Sequence, residues 1–310
     1  MTTLTPLIVI LGPTASGKTG LAFELAKRWR GELVNADSRQ IYREMDIATN
    51  KTAGTTVVKS EENGETIYLI DGTPLHLLDI INPDQNFSLA DYKAAALEKI
   101  GDIRQRGKLP ILVGGTGLYI SSIVDNLTIP KAPADTKLRS QLAEKDTQTL
   151  FADLQNMDPA AAESIGPDNK RKIIRALEVC ITTGSPFSSQ QKRGEPLFDI
   201  LQLGLKTERA VLYAKIDERV DAMIASGLVE ETERLSEKYD ADLPAMSGIG
   251  YREILAYLRK ETSLEEAVKR IKFHTHQYAR RQITWFKRDD RIRWVENYEE
   301  AEKLVEEFLG

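Results

Sequence analysis

The sequence predicts an α/β protein in which a parallel sheet with helices on its faces is interrupted by an all-helical insertion. Three observations predict it. Short apolar runs alternate with helical patterns, as the crossover connections of a parallel sheet require. The first run, "LIVIL" (7–11), leads into "GPTASGKT" (12–19) and then "GLAFELAKRW", a strand, a glycine-rich turn and a helix in immediate succession. Between residues 126 and 200 the strand signal disappears while helical patterns continue.

The turn matches the phosphate-cradling pattern G-x-x-x-x-G-K-[ST] at every fixed position, so the core is P-loop NTPase-like. Strands are expected at 7–11, 33–36, 111–113, 200–205 and 292–295. A helix is expected over Lys18–Trp29 and another from Ser88, where "SLAD" resembles a capping box and Gly107 serves as the C-terminal cap. "TVVKSEENGETIYLI" reads as a hairpin about Asn63-Gly64. "ADTKLRSQLAEK", "TLFADLQNM", "PAAAESI" and "KRKIIRALEVCITTG" all read as helices. Residues 1–125 and 201–310 are thus assigned to the core, with a basic C-terminal helical region, and 126–200 to a helical insertion domain.

Composition narrows the class. At 310 residues, 41% hydrophobic and 29% charged, the chain has ordinary globular usage. No apolar run approaches the roughly 20 residues that span a bilayer, so no membrane partner is expected. The N-terminal stretch lacks the basic start of a signal peptide and reads as the first core strand. A lone Cys180 cannot form an internal disulfide, which fits a reducing cytoplasm. Three histidines without zinc spacing, two of them (His274 and His276) on different faces of one helix, argue against a structural zinc. The net charge of −5 is uneven: residues 269–293 hold nine Lys/Arg against two Asp, a local +7, leaving 33 basic against 45 acidic elsewhere.

Four segments carry candidate chemistry. In the phosphate loop, Gly12 and Gly17 allow successive N–H groups around Pro13, Thr14, Ala15 and Ser16 to face an anion, and the following helix adds its positive dipole end. Lys18 supplies charge and Thr19 a hydroxyl for Mg²⁺. Asp37 follows the second strand, at the carboxyl edge where ligands bind in open α/β sheets. It reads either as a metal or proton acceptor or as a turn residue. In "LPILVGGTGLYI" no carboxylate ends the strand; Gly114, Gly115 and Gly117 would let backbone approach a ligand, and Thr116 could donate to it. Arg219 falls beside the apolar stripe of Ile216, Val220 and Met223, so it either meets an anion or snorkels. The basic block, with Tyr278, Trp285 and Phe286 among its cations, suits RNA phosphates and stacked bases, or is a solvated face over a core.

Together, "GPTASGKT", "ADSRQIYREMDI", "HLLDI", "LVGGTGLYI", "RALEV", "GIGYREI" and "RRQITWFKR" resemble the tRNA dimethylallyltransferases, in the family's order across nearly the whole chain. The resemblance implies transfer of a dimethylallyl group from dimethylallyl diphosphate to N6 of the adenosine 3′-adjacent to the anticodon, in tRNAs reading codons that begin with U. The diphosphate would be the leaving group, with Mg²⁺ at Thr19 as cofactor. It implies that Asp37 orients the adenine amine and takes its proton, that Thr116 lies beside the adenosine, and that Arg219 contacts the diphosphate. It further implies that the tRNA anticodon arm is touched by four stretches. These are Asp37, Ser38, Arg39 and Gln40; Asn169, Lys170, Arg171, Lys172 and Ile173 of the insertion; Ser247, Gly248, Ile249, Gly250, Tyr251 and Arg252; and Arg280, Arg281, Gln282, Ile283, Thr284, Trp285, Phe286 and Lys287. A monomer is expected. The family commonly reads "GTAKP" where this chain has "ATNKT" (48–52, retaining Lys51) and a basic residue where Leu75 stands, and its usual connection is shorter than the hairpin 54–73. The rival reading is a small-molecule or nucleotide kinase on the same core.

Overall fold

The computed structural model describes residues 4–51, 57–62, 65–130, 135–190 and 192–310. The chain divides into two compact units, Met1–Val124 with Leu197–Gly310, and Asp125–Pro196. The first unit opens with β1 (Thr5–Leu11), α1 (Lys18–Trp29), β2 (Gly31–Asn35), β3 (Val57–Glu62), β4 (Glu65–Ile70), β5 (Thr73–His76), α2 (Leu89–Gln105), β6 (Leu109–Gly114) and α3 (Gly117–Val124). The second unit holds α4 (Thr136–Glu144), α5 (Thr147–Met157), α6 (Pro159–Ile165), α7 (Lys170–Thr183) and α8 (Phe187–Gln190). The first then resumes with β7 (Phe198–Leu205), α9 (Arg209–Ala225), α10 (Leu228–Lys238), α11 (Tyr251–Leu258), α12 (Leu264–Phe286), β8 (Ile292–Val295) and α13 (Tyr298–Leu309).

The strands form one sheet in the order β3-β4-β5-β2-β6-β1-β7-β8. Neighbours from β5 to β8 are parallel, and β4 is antiparallel to both β3 and β5. Central β1 sets Ile8 opposite Ile111 on one side and Leu201 on the other. Its continuous apolar run follows from burial on both faces. Leu7, Val9 and Leu11 cluster with Ile100 of α2 and Ile120 of α3, while Ile8 and Ile10 cluster with Leu25 of α1 and Val305 of α13. The turns after β1, β2 and β6 therefore leave one sheet edge side by side, the position open α/β folds use for ligands.

Local chemistry explains the ends of the elements. Ser88 caps α2 in a reciprocal box with Asp91, and Gly107 follows it at a φ of 68°. In the second unit Asp135, Asp146, Asp158 and Asn169 cap α4, α5, α6 and α7 in turn. That unit has its own core of Leu142, Leu150, Leu154, Ile173 and Leu177. Its fully buried Glu178 is satisfied by Arg139 at 2.8 Å and Arg175 at 2.5 Å. In the first unit Glu32 of β2 meets His76 of β5 at 2.7 Å and Arg106 beyond α2 at 2.7 Å. Burial opposes ionisation of Glu32, but these partners outweigh it and hold the carboxyl at about 2. The resulting stabilisation is present above the ordinary carboxylate value and is lost as pH falls toward 2.

Several boundaries differ from the sequence expectations. In "LPILVGGTGLYI" the expected strand at 111–113 extends over Leu109–Gly114 as β6, and the rest enters α3 from Gly117. The helical insertion ends before residue 200, because Phe198 already pairs with Thr5 of β1. Periodicity does not mark β5, which joins β4 to β2 inside the sheet, or α13, whose Ala301 and Val305 pack into the core beside α1. β3 and β4 pair as the hairpin reading expects, while its Asn63-Gly64 turn and residues 54–56 lie outside the described residues. Among the described residues no helix is long and apolar enough to cross a membrane. Ile100→Ala, which removes a fully buried side chain under the central strands, is expected to cost about 2–5 kcal/mol in denaturant-induced unfolding.

Candidate active site

The phosphate loop is shaped by its own backbone and held from outside. Gly17 caps α1 at a φ of 91°, with no side-chain cap, so the first helical N–H groups stay open to a ligand. Lys18 Nζ donates to Pro13 O at 3.2 Å, bringing its ammonium back over the loop. From α12, buried Gln282 accepts the Thr14 N–H at 2.9 Å and donates to Gly115 O at 2.8 Å. From α9, Arg219 Nη1 donates to Thr14 Oγ1 at 3.2 Å. Gly12 and Ser16 serve the loop internally: a Cβ on Gly12 would lie 2.9 Å from the buried Ser16 Oγ.

The Asp37 segment lies across from the loop. Ala36 N donates to Val113 O and Thr116 N to Ala36 O, so the turns after β2 and β6 are stitched together. Thr116 Oγ1 accepts the Ser38 N–H at 3.0 Å, and Asp37 Oδ1 accepts the Arg39 N–H at 2.9 Å. Arg39 reaches to Pro244 O at 2.6 Å and Ser247 Oγ at 3.4 Å, and Gln40 to Thr49 O at 3.0 Å. One cavity of about 320 Å³ joins the two segments, with Thr14, Ala15, Gly17, Lys18, Thr19, Asp37, Gln40 and Arg219 all on its wall.

The charges around this cavity are out of balance. Burial lowers the pKa of the Arg219 guanidinium, whose one side-chain hydrogen bond among the described residues is to the neutral Thr14 hydroxyl. Burial brings Lys18 down to about 8; Asp37 opposes that shift and Arg219 reinforces it. Two partly desolvated cations face one carboxylate, an arrangement that an anion completes. Thr19 and Asp37 give the lining of this cavity one hydroxyl and one carboxylate, a donor set compatible with Mg²⁺, which keeps several waters and leans on substrate phosphates. Among the described residues no group of three His, Cys, Asp or Glu could hold a metal by itself.

The other expected residues divide by burial. Arg280, Arg281, Thr284, Trp285 and Lys287 are exposed along α12, whereas Gln282 and Phe286 face inward. Tyr251 is buried with its hydroxyl on Glu231 at 2.7 Å, while Ser247 and Arg252 are exposed. In the second unit Asn169 caps α7, Lys170 bonds Ala143 O at 2.7 Å, Arg171 and Lys172 are exposed, and Ile173 is in the core. Ile173, Tyr251, Gln282 and Phe286 are buried and support their surfaces from within. A Cβ at Gly114 would lie 2.2 Å from Ala36 O, and one at Gly117 would lie 2.3 Å from the Trp285 ring, so both admit close protein neighbours, while Gly114 also lines the cavity. Sequence reasoning offers Tyr278 only as an aromatic for stacked bases and gives it no place beside Asp37 and Thr116. Its hydroxyl bonds Thr116, and burial together with the Asp37 charge pushes its pKa up. Nor does it place Lys51, which is fully buried and pairs with Asp46 at 3.0 Å and Asp79 at 2.5 Å.

A P-loop α/β protein with a carboxylate opposite its anion cradle is the class that this fold and site define. The sequence profile of the IPP transferases matches residues 40–289. A tRNA dimethylallyltransferase of Thermomicrobium roseum is 42% identical, covering 98% of this chain and 92% of its own, and one of a Roseiflexus species is 46% identical over 91% and 90%. Among solved structures, a full-length tRNA isopentenylpyrophosphate transferase of Bacillus halodurans superposes with a TM-score of 0.69 at 36% identity, over 98% of this chain and 95% of that one. A eukaryotic dimethylallyltransferase, captured acting on tRNA, gives 0.74 at 29% identity over 91% and 69%. The chain belongs to the IPP transferase family. The kinase alternative is not favoured by these relatives.

Two measurements check the site. Above a pH of about 8 the free Lys18 is largely neutral, and an anion bound beside it restores the proton. Inorganic pyrophosphate should therefore bind with proton uptake and weaken as pH rises past 8, read by calorimetry in buffers of different ionisation heat. Gln282→Ala strands a half-buried N–H and a buried carbonyl, so pyrophosphate affinity should fall by about 1–3 kcal/mol while Gln282→Glu, which keeps only the acceptor, recovers part of it.

Proposed function

We propose that this protein transfers the dimethylallyl group of dimethylallyl diphosphate to N6 of the adenosine 3′-adjacent to the anticodon, in tRNAs reading codons that begin with U, releasing diphosphate. The observation that carries the reading is the single cavity bringing Lys18, Arg219 and the loop N–H groups to one wall and Asp37 to the other. Breaking the allylic C1–O bond concentrates negative charge on the departing diphosphate. Lys18, Arg219 and the open amides at the start of α1 stabilise that charge more than the ground state, which is what accelerates the step. Asp37, oriented by the Arg39 N–H, accepts a hydrogen bond from the incoming amine and then its proton. Thr116, fixed by Ser38 and Tyr278, shapes the adenosine side of the cavity. Mg²⁺, held by Thr19 and the diphosphate, would neutralise further charge on the leaving group.

RNA binding is assigned to the exposed cations. Lys269, Arg270 and Lys272 are engaged by Glu265, Glu266 and Asp221. Arg280, Arg281, Lys287 and Arg288 have no acidic partner among the described residues, and Trp285 offers an exposed indole between them. An anticodon loop suits such a surface, since an unpaired base leaves its stack at less cost than a duplex base. The anticodon arm is thus the proposed partner, with a monomer as the proposed state.

Incubation with labelled dimethylallyl diphosphate and unmodified tRNA should place label in the RNA; label confined to small molecules would reject the reading. Asp37→Ala should slow transfer by about 10²–10⁴-fold with tRNA affinity nearly unchanged. The four unpaired cations predict a log–log salt slope for tRNA binding of about −3, which Arg280→Ala with Arg281→Ala should roughly halve.

A further inference from the structure

The cavity has an apolar part of its lining that a phosphate site does not require. Phe23 of α1, Ile70 of β4, Leu75 of β5 and Val113 of β6 line it, and each is less than a tenth exposed. Four buried hydrocarbon side chains opening onto the same space as Lys18 and Asp37 make a pocket suited to an apolar group attached to a diphosphate. At about 320 Å³ in total, the cavity lies at the small end of ligand sites, so its apolar part holds a short group.

Strand β4 is pinned at this place by chemistry of its own. Tyr68 and Ile70 are two residues apart and share a face of the strand. Tyr68 is buried opposite Leu75 in the β4–β5 pairing, and its hydroxyl donates to Asp79. Asp79 in turn accepts from Lys51 Nζ at 2.5 Å, and Lys51 also donates to Tyr42 O. This buried ion pair ties the strand to the Lys51 segment, which itself lines the cavity. A β-branched side chain on a strand held this way has little freedom to move aside.

We propose that Ile70, together with Leu75 of the same lining, is the end wall of the donor's hydrocarbon pocket and limits the transferred group to five carbons. The inference rests on the prenyl-transfer reading and adds a specificity-determining role for β4. A longer prenyl chain would have to displace Ile70, whereas the diphosphate contacts would be unchanged.

The full-length protein would be assayed with unmodified tRNA and either dimethylallyl diphosphate or the ten-carbon geranyl diphosphate. Within one variant the ratio of the two kcat/KM values cancels any loss of folded enzyme. Ile70→Ala should shift that ratio toward the ten-carbon donor by at least about tenfold, and Ile70→Val, the milder change should the first not fold, in the same direction. Ile70→Phe should raise KM for dimethylallyl diphosphate by about tenfold while the Kd for inorganic pyrophosphate stays at the wild-type value. An unchanged ratio in the shortened variants overturns the wall while leaving prenyl transfer intact. A wild-type protein that moves neither group to RNA overturns the transfer reading, and the wall with it.

Discussion

The site depends on one buried carboxamide. Gln282 takes a hydrogen from the phosphate loop and gives one to the turn after β6, and α12 brings it there from far along the chain. Without it, two backbone groups in a desolvated place would lack partners, at a cost comparable to several ordinary hydrogen bonds. Because the turn after β6 is bonded in its turn to Ala36 and Ser38, the same amide fixes the distance between the anion cradle and Asp37. A reaction that needs a leaving group on one side and a proton acceptor on the other is sensitive to that distance.

Electrostatics then decides what the scaffold is for. Lys18 and Arg219 are both pushed toward their neutral forms by burial, and the lone carboxylate on the opposite wall does not compensate them. The unbound site therefore carries an unfavourable charge distribution that a diphosphate relieves. Elsewhere the same fold buries charge with partners in place, as at Glu178 between two arginines and at Glu32 between His76 and Arg106. The contrast separates groups built for stability from groups held ready for a ligand.

Much of this architecture is legible in the residue pattern. The motif from 12 to 19 depends on glycine conformations, helix polarity and a lysine within one loop, all local properties that a sequence displays directly. The Ser88 cap, the Gly107 stop and the strand at 292–295 are equally local and appear where periodicity and capping chemistry put them. The turn from β6 to α3 is not legible in this way, because the close approach of Gly114 to Ala36 and of Gly117 to Trp285 is made by segments distant in sequence. Tyr278 and Gln282 sit inside a block whose conspicuous feature is charge, and nothing in their neighbours signals an inward role.

Contiguous residues thus suffice to specify the phosphate loop, the alternation that builds a parallel sheet, the helical insertion and the family. Three matters were left to the tertiary fold: which glycines admit protein, which members of the basic block support the site from within, and that a β4 isoleucine lines the cavity. Those assignments arise from contacts between residues tens to hundreds of positions apart, where hydrogen-bond geometry and packing, rather than local preference, select the partner.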